Sequence, residues 1–458
     1  MPKPRLPADD AAAQTQVIQL LLKTTQHFFG SIEQLFAAVH DPREASHVIY
    51  PLPVMAFAGV LMFICRLGAR RQINHLLRGN AGSDEKFQQL FGVRACPHGD
   101  TLNACYKELT VAEVQDVISG TVETLVRKKV WASYRLLGHY YVVTVDGTGM
   151  LMFKTRHCPQ CLTRTLHGQT LYYHDVLEAK LVSPCGLVCS VLTEFMENPE
   201  HNVSKQDCEV KAFERLCARL KTRFPRLAIC LSVDGIFAGG PTFALCAKNN
   251  WKYMVVLTEK DLPSVNREFR ALLPLLPENQ LEVTLGTRRE VHQSFSWVNQ
   301  IAYQDTQERT HTLAVLQCLE TKPDPRTHQP VVTRFKWLTN FKVSVKRVQT
   351  LAAHGGRDRW KTENEGFNVE KNLGYASEHA YSMDWQAAQV FYLLLQLAHL
   401  LAQLMARGSL FRQAFPHGVG SEKNLAWRLL EAWRNARLNL QALRRLLSQR
   451  IQIRFDSS

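Results

Sequence analysis

Along the first third of the chain, apolar residues recur every three or four positions. Both "QTQVIQLLLKTTQHFF" and "TLNACYKELTVAEVQDVISGTVETLVRKK" read as amphipathic helices, and residues from about 12 to 135 are predicted to be helical. The period then changes. "HYYVVTVDGT" (139–148) is a continuous β-branched and aromatic run, and "TLYYHDVLEAKLV" and "GLVCSVLTEFM" are two more strands after short loops, which together predict a three-stranded antiparallel meander. "QDCEVKAFERLCARLKTRF" (206–224) returns to helical spacing. A buried strand in "RLAICLSVDG", a short helix in "PTFALCAKN" and a strand in "WKYMVVLTE" follow. From about 262 to 345 the text is β-rich again, in "LEVTLGTRREVHQSFSW", "HTLAVLQCLE" and "VVTRFKWLTNF". The proline-free "RWKTENEGFNVEKN" (359–372) then predicts a helix, and "WQAAQVFYLLLQLAHLLAQLMA" (385–406) a strongly apolar helix that must be packed.

Three strands, helix, strand, helix, strand is the order of a ribonuclease H-like core, so the expected fold is α/β with a mixed sheet. The expected organisation is a helical N-terminal region (1–135), the first part of the core (136–261), a β-rich insertion (262–345), the rest of the core with its acidic and packing helices (346–406), and a basic helical tail (407–458).

Composition adds charge to this picture. The chain has 458 residues, 46% hydrophobic and 21% charged, which describes a folded protein rather than a disordered one. Its net charge of +14 fits a polyanionic partner, nucleic acid or an anionic membrane surface. The last 53 residues carry ten Arg or Lys against three acids, half of that excess. The uncharged run from Val48 to Cys65 is the only membrane candidate. Pro51 and Pro53 interrupt it, and the apolar remainder before Arg66 is too short to span a bilayer. The N-terminus "MPKPRLPADDAAAQ" has no apolar signal region, and twelve scattered cysteines agree with a reducing compartment. A cytoplasmic protein that does not enter membranes is expected.

Two aspartates stand out by position. Asp146 ends the first strand in "TVDGTG" and Asp234 ends the fourth in "SVDGIFAGG". Either Asp-Gly alone is a turn signal. At two neighbouring strand ends, however, the carboxylates emerge side by side, and they repel unless they share a proton or a cation. Hard oxygen ligands select Mg²⁺ or Mn²⁺, and a pair of such ions can drive phosphodiester chemistry. A third acid would come from the helix at 359–372. On an α-helix Glu363 and Glu365 diverge by about 200°, so only one can face the metals. Glu363 shares its face with Arg359, Phe367, Glu370 and Lys371, and is preferred over Glu365, with Glu370 third.

Here the sequence resembles the insertion-sequence transposases with a DDE triad on a ribonuclease H-like fold, in the group with a β-rich insertion before the catalytic glutamate. The resemblance rests on "TVDGTG", "YYHDVLEAKLV", "KQDCEVKAF", "SVDGIFAG", "FKWLTNFKVS" and "RWKTENEGFNVEKN", across roughly residues 135 to 380. The group's signature is tyrosine, two residues, arginine, three residues, glutamate, six residues, lysine. Arg359 and Glu363 keep its spacing, Gly356 stands at the tyrosine position, and the lysine comes one residue late at Lys371. The resemblance implies metal-dependent cleavage at the ends of a DNA element, followed by attack of the freed 3′-hydroxyl on target DNA. Asp146, Asp234 and Glu363 would be the catalytic metal ligands. Arg359 and Lys371 would contact DNA phosphate. Double-stranded DNA is then the partner, the helical N-terminal region its end-binding part, and a homodimer on paired ends the expected assembly. A nuclease without strand transfer and a catalytically inactive DNA-binding relative are the alternatives, with a membrane-surface protein third.

Other features carry less. His157, Cys158, Cys161 and His167 in "RHCPQCLTRTLHG" can hold zinc, although packed thiols in a tight hairpin are the preferred reading. Cys96 and Cys105 read as structural, with Asp100 or Thr101 capping a helix. Thr339 and Asn340 could approach DNA, against the simpler reading of a strand end. Arg434, Arg437, Arg444 and Arg445 in the tail are DNA-facing candidates, against the alternative that they solubilise a packed helix.

Overall fold

Residues 10–198, 207–286 and 291–455 are described by a computed structural model. Position 206 of the predicted helix and positions 287–290 of the predicted insertion strand lie outside the described residues.

The three-to-four spacing of the first third becomes helices at Asp10–Phe29, Leu52–Ile64, Ala81–Phe91, Gly99–Glu108 and Val111–Arg127, with shorter turns between. Pro51 and Pro53 set where the helical part of the apolar run begins, and the short buried helix expected there is Leu52–Ile64, 13 residues. Pro51 is the extended N-cap of Leu52–Ile64 and Pro53 lies in its first turn, where a missing N–H costs nothing, and every residue after Pro53 is buried. The helix Gly99–Glu108 is capped by His98, whose Nδ1 accepts from the Asp100 amide at 3.1 Å, rather than by the predicted Asp100 or Thr101.

The sheet contains β1 (Tyr141–Phe153), β2 (Leu162–Leu166), β3 (Gln169–Val182), β4 (Val188–Phe195), β5 (Ile229–Val233), β6 (Lys252–Val256), β7 (Gln280–Leu285), β8 (Val291–Gln304), β9 (Thr310–Pro323) and β10 (Pro330–Thr339). Their order is β2-β3-β1-β5-β6-β10-β9-β8-β7, with β4 paired to the other half of the β3 edge that β2 uses. β1, β5 and β6 are parallel neighbours, and β3 runs antiparallel to β1 and β4. The parallel connections are the helices Glu209–Arg223 and Gly240–Asn249. The expected meander therefore has a fourth strand, β2. Its hairpin to β3 is closed by His167 and Gly168, both at positive φ as a two-residue type I′ turn requires.

The β-rich stretch opens with a helix, Pro263–Leu272, before its four strands. It continues the same sheet: β10 pairs antiparallel with β6 through Trp337↔Val256, Leu338↔Val255 and Thr339↔Met254. Behind the sheet runs the helix Trp385–Arg407. By length and composition it meets the criterion for crossing a membrane, which the sequence reading assigned only to the earlier run, but 94% of its apolar window is buried inside the fold. Its polar residues serve the sheet. Gln403 accepts from Val188 N at 2.8 Å and donates to Val188 O at 2.6 Å, which satisfies backbone on β4.

The tail forms Ser409–Ala414, Glu422–Asn435 and Leu440–Ser448, and folds back on the first helix. Leu425, Leu429, Ala432 and Leu443 are buried, and Trp433 packs on Phe57 and Phe87 of the helices Leu52–Ile64 and Ala81–Phe91. Lys23 closes it by donating to Leu447 O at 3.0 Å and also to Gln449 O, which satisfies carbonyls at the end of the last helix.

Candidate active site

Two register positions build the site. The parallel pairing of β1 with β5 ends at Val145↔Val233, so Asp146 and Asp234 are the next residues on neighbouring strands. β1 itself does not end there, as predicted, but runs on to Phe153 against β3 alone. The Asp146 side chain is 28% exposed and that of Asp234 46%, so both open to solvent where the pairing of these interior strands ends.

Neither Asp-Gly pair is a left-handed turn, since Gly147 and Gly235 lack positive φ. Their glycines make room for other acids. A Cβ on Gly147 would lie 2.4 Å from Glu209 Oε1, and one on Gly235 would lie 2.7 Å from Asp261 Oδ2. Glu209 opens the helix Glu209–Arg223 and had no place in the sequence reading beyond its motif. Its carboxyl is raised above the usual range by burial and by the charges of Asp146 and Asp234.

The third predicted acid arrives on a single irregular helical segment, 348–372. It contains two π-turns, Leu351–Gly356 and Thr362–Phe367, around the tighter turn Arg357–Arg359. The second π-turn carries both candidate glutamates, and wider turns of this kind recur at functional sites. Glu363 is exposed and close enough to raise the Asp146 carboxyl. Glu365 turns instead to Lys361, at 3.9 Å. Burial is the main cause of the raised Asp146 carboxyl. Arg359 opposes it, and Asp234 and Glu363 reinforce it.

Arg359 is placed differently from the phosphate contact expected of it. Its guanidinium bridges the aspartates, with Nη1 3.2 Å from Asp146 Oδ2 and Nη2 3.8 Å from Asp234 Oδ1. Among the described residues it is thus a cation held between carboxylates that would otherwise repel. Lys371 pairs with Glu378 at 3.0 Å.

Glu370 is not a candidate ligand. It is buried, accepts from Lys180 Nζ at 2.7 Å and Gln396 Nε2 at 3.0 Å, and lies 3.0 Å from His399 Nδ1. Burial alone would raise its carboxyl, but Lys180 and His399 outweigh burial and hold it well below the usual range. Glu178 lies 4.0 Å from the same ammonium. Burial raises its carboxyl, which Lys180 and hydroxyls of Ser190 and Thr193 partly offset. Higher on the same segment, Thr362 and Thr144 of β1 share a hydroxyl hydrogen bond of 2.5 Å. Thr362 thus fixes the segment that carries Glu363 to the strand that carries Asp146, and Glu370 fixes it to β3 and the long core helix.

The signature's tyrosine position has a structural explanation. A Cβ on Gly356 would come within 2.4 Å of Trp337 Cε2, so the β10 tryptophan fills that space. Beside it lies a groove of about 410 Å³ lined by Arg334, Lys336, Arg357, Arg359 and the half-exposed Trp360.

Thr339 and Asn340 do not face this groove as free DNA contacts. Thr339 is fully buried and donates to Tyr253 O at 2.7 Å, while Asn340 accepts from Tyr253 N and donates to Trp251 O. They stitch β10 to β6. Of the tail arginines, Arg437, Arg444 and Arg445 are exposed and Arg434 pairs with Glu431 at 3.3 Å. Of the predicted zinc set, His157, Cys158 and Cys161 come together, but His167 sits exposed in the β2–β3 turn, and the fourth residue is His174 of β3. The strand period concealed it, since it lies thirteen residues after Cys161 with a hairpin between.

No protein-family model matches the chain, and no curated protein matches it.

Proposed function

We propose that the protein is a DNA transposase of the DDE type, built on a ribonuclease H-like core, which cleaves DNA at element ends and joins the freed 3′-hydroxyl to target DNA. The observation that carries the reading is the register of β1 and β5, which makes Asp146 and Asp234 lateral neighbours beside Glu363. The strand order β4-β3-β1-β5-β6, with one antiparallel half and one parallel half, supports the core assignment.

The donor set fits hard divalent cations, because it offers partly exposed carboxylate oxygens close enough for Asp234 and Glu363 to add to the burial that raises Asp146. Asp146, Asp234 and Glu363 would hold Mg²⁺ or Mn²⁺, with Glu209 a further oxygen donor at the rim. When bound, such ions activate the attacking oxygen and stabilise the leaving one at phosphorus. Arg359 must leave the aspartates for this, and its guanidinium is then free to pair with a phosphate oxygen. The groove along Arg334, Arg357 and Trp360 supplies cations and an aromatic face next to the acids, which suits a nucleic-acid strand. Homodimerisation on paired DNA ends and action in the cytoplasm at the nucleoid belong to this proposal.

The test is incubation of the purified protein with the DNA that flanks its own gene, with Mg²⁺, to look for nicks at inverted repeats and for joined products. Nicks without joining would support the nuclease alternative, and binding without nicks would support the inactive relative.

A further inference from the structure

A second cluster lies away from the acid site, at the far half of β1, which pairs with β3 alone. His157, Cys158 and Cys161 belong to the connection between β1 and β2, and His174 to β3, opposite Leu151 of β1. One donor atom from each lies within 4.8 Å of every other. We propose that these four residues bind a structural zinc ion, which locks the β1–β2 connection onto β3.

The geometry argues for a metal over its rivals. Cys158 Sγ is 3.3 Å from Cys161 Sγ and 3.2 Å from His174 Nε2, while Cys161 Sγ is 3.3 Å from His157 Nδ1 and 3.5 Å from His174 Nε2. Around a tetrahedral zinc with ordinary Zn–S and Zn–N bonds, the edges between donors are roughly 3.4–3.8 Å. Four of the six edges are therefore close to those such an ion requires, and the other two stay within 4.8 Å. A disulfide would instead bring the sulfurs to about 2.05 Å, and it would leave both imidazoles aimed at sulfur without purpose. Both cysteines are free thiols. Two thiols and two imidazoles are a soft, nitrogen-containing set that selects zinc and disfavours the hard cations suited to the carboxylates.

The surroundings are those of a closed structural site rather than an open catalytic one. Cys161 and His174 are fully buried. The His174 ring stacks on Trp385 at 3.8 Å and 14°, and Phe153 packs on His157 at 3.9 Å. Met150, Leu151, Val176 and Tyr392 complete an apolar shell. Through Trp385, the clamp also reaches the first turn of the long core helix. All four zinc positions are filled by protein, so no open position remains for water or substrate.

The measurement uses the full chain, expressed with zinc in the medium and purified without chelator. Elemental analysis should find about one zinc per chain, released when a mercurial blocks the thiols and reported by a colorimetric chelator. Exchange for Co²⁺ should give the visible bands of a tetrahedral ion together with thiolate charge-transfer absorption. Cys158→Ser with Cys161→Ser, and His174→Ala, should each lose the metal at least tenfold, whereas His167→Ala and Cys208→Ser should keep it. Should the cysteine variants prove insoluble, the mercurial release and the cobalt spectrum of the wild-type chain decide alone. A wild-type chain without zinc, a Cys158–Cys161 disulfide in anaerobically purified protein, or loss of metal in His167→Ala with retention in His174→Ala would each overturn the proposal. None of these readouts depends on DNA cleavage.

Discussion

At the scale of single residues, the acid site makes a graded set of expectations. Asp146→Asn, Asp234→Asn and Glu363→Gln should each lower Mg²⁺-dependent nicking at least about 100-fold, because each removes a ligand for the charge that develops at phosphorus. Glu365→Gln should leave nicking within a few fold, since its carboxylate faces Lys361. A gel assay that finds Glu365→Gln inactive and Glu363→Gln active would reverse the assignment. Beneath the site, Lys180→Met should cost ~3–5 kcal/mol of stability at pH 7, as it strands Glu370 in the core. The sign with pH follows from the depressed Glu370 carboxyl. Its contribution is present above the unfolded carboxylate value near 4.3 and fades as pH falls below it, so urea midpoints of variant and wild type should converge on acidification. Asp146 and Asp234 were legible because a run of strand residues ended in Asp-Gly at each place. Lys180, Glu209 and His174 were not, because each acts through a partner on another element and nothing in local spacing marks them.

At the scale of elements, the segment 348–372 shows where helical periodicity stops being a guide. Its two π-turns change which residues share a face, so a count at 3.6 residues per turn places Glu370 beside Glu363, while the structure buries the first and exposes the second. The preference for Glu363 over Glu365 rested on the neighbours counted on its face, Arg359, Phe367, Glu370 and Lys371, and Glu370 is not among them in the structure. Gly356 belongs to this scale too. Gly356→Ala should lower the melting temperature, with a cost of roughly 1–3 kcal/mol, because its methyl must displace the Trp337 ring. An unchanged melting temperature would mean that β10 yields there. Most of the order of strands and helices could be read from periodicity, apart from β2 and the helix Pro263–Leu272, but the pairing of β10 with β6 could not. That contact joins residues about eighty apart in sequence, through backbone bonds that any pair of apolar strands can form.

At the scale of the molecule, half of the charge excess lies on a tail that is also part of the core. Truncation near residue 420 would expose the face that Trp433 and Leu443 cover, and would confuse loss of DNA contacts with loss of the fold. The cleaner variant replaces Arg437, Arg444 and Arg445 with Gln. It should keep the melting temperature within a degree or two, and should flatten the salt dependence of DNA binding by up to about three units of slope. An unchanged slope would make these arginines solvating groups only. The clasp between the first and last helices also sets a clock. Lys23 and its carbonyl partner Leu447 are 424 residues apart. At ribosomal rates of about 5–20 residues per second, the first helix waits roughly 20–85 s for its partner to be made. The strands bearing Asp146 and Asp234 and the segment bearing Glu363 all emerge within that interval. The nascent chain therefore makes its acid-bearing segments while the side of its earliest helix that the tail covers is still bare, which leaves that side open to a chaperone during synthesis.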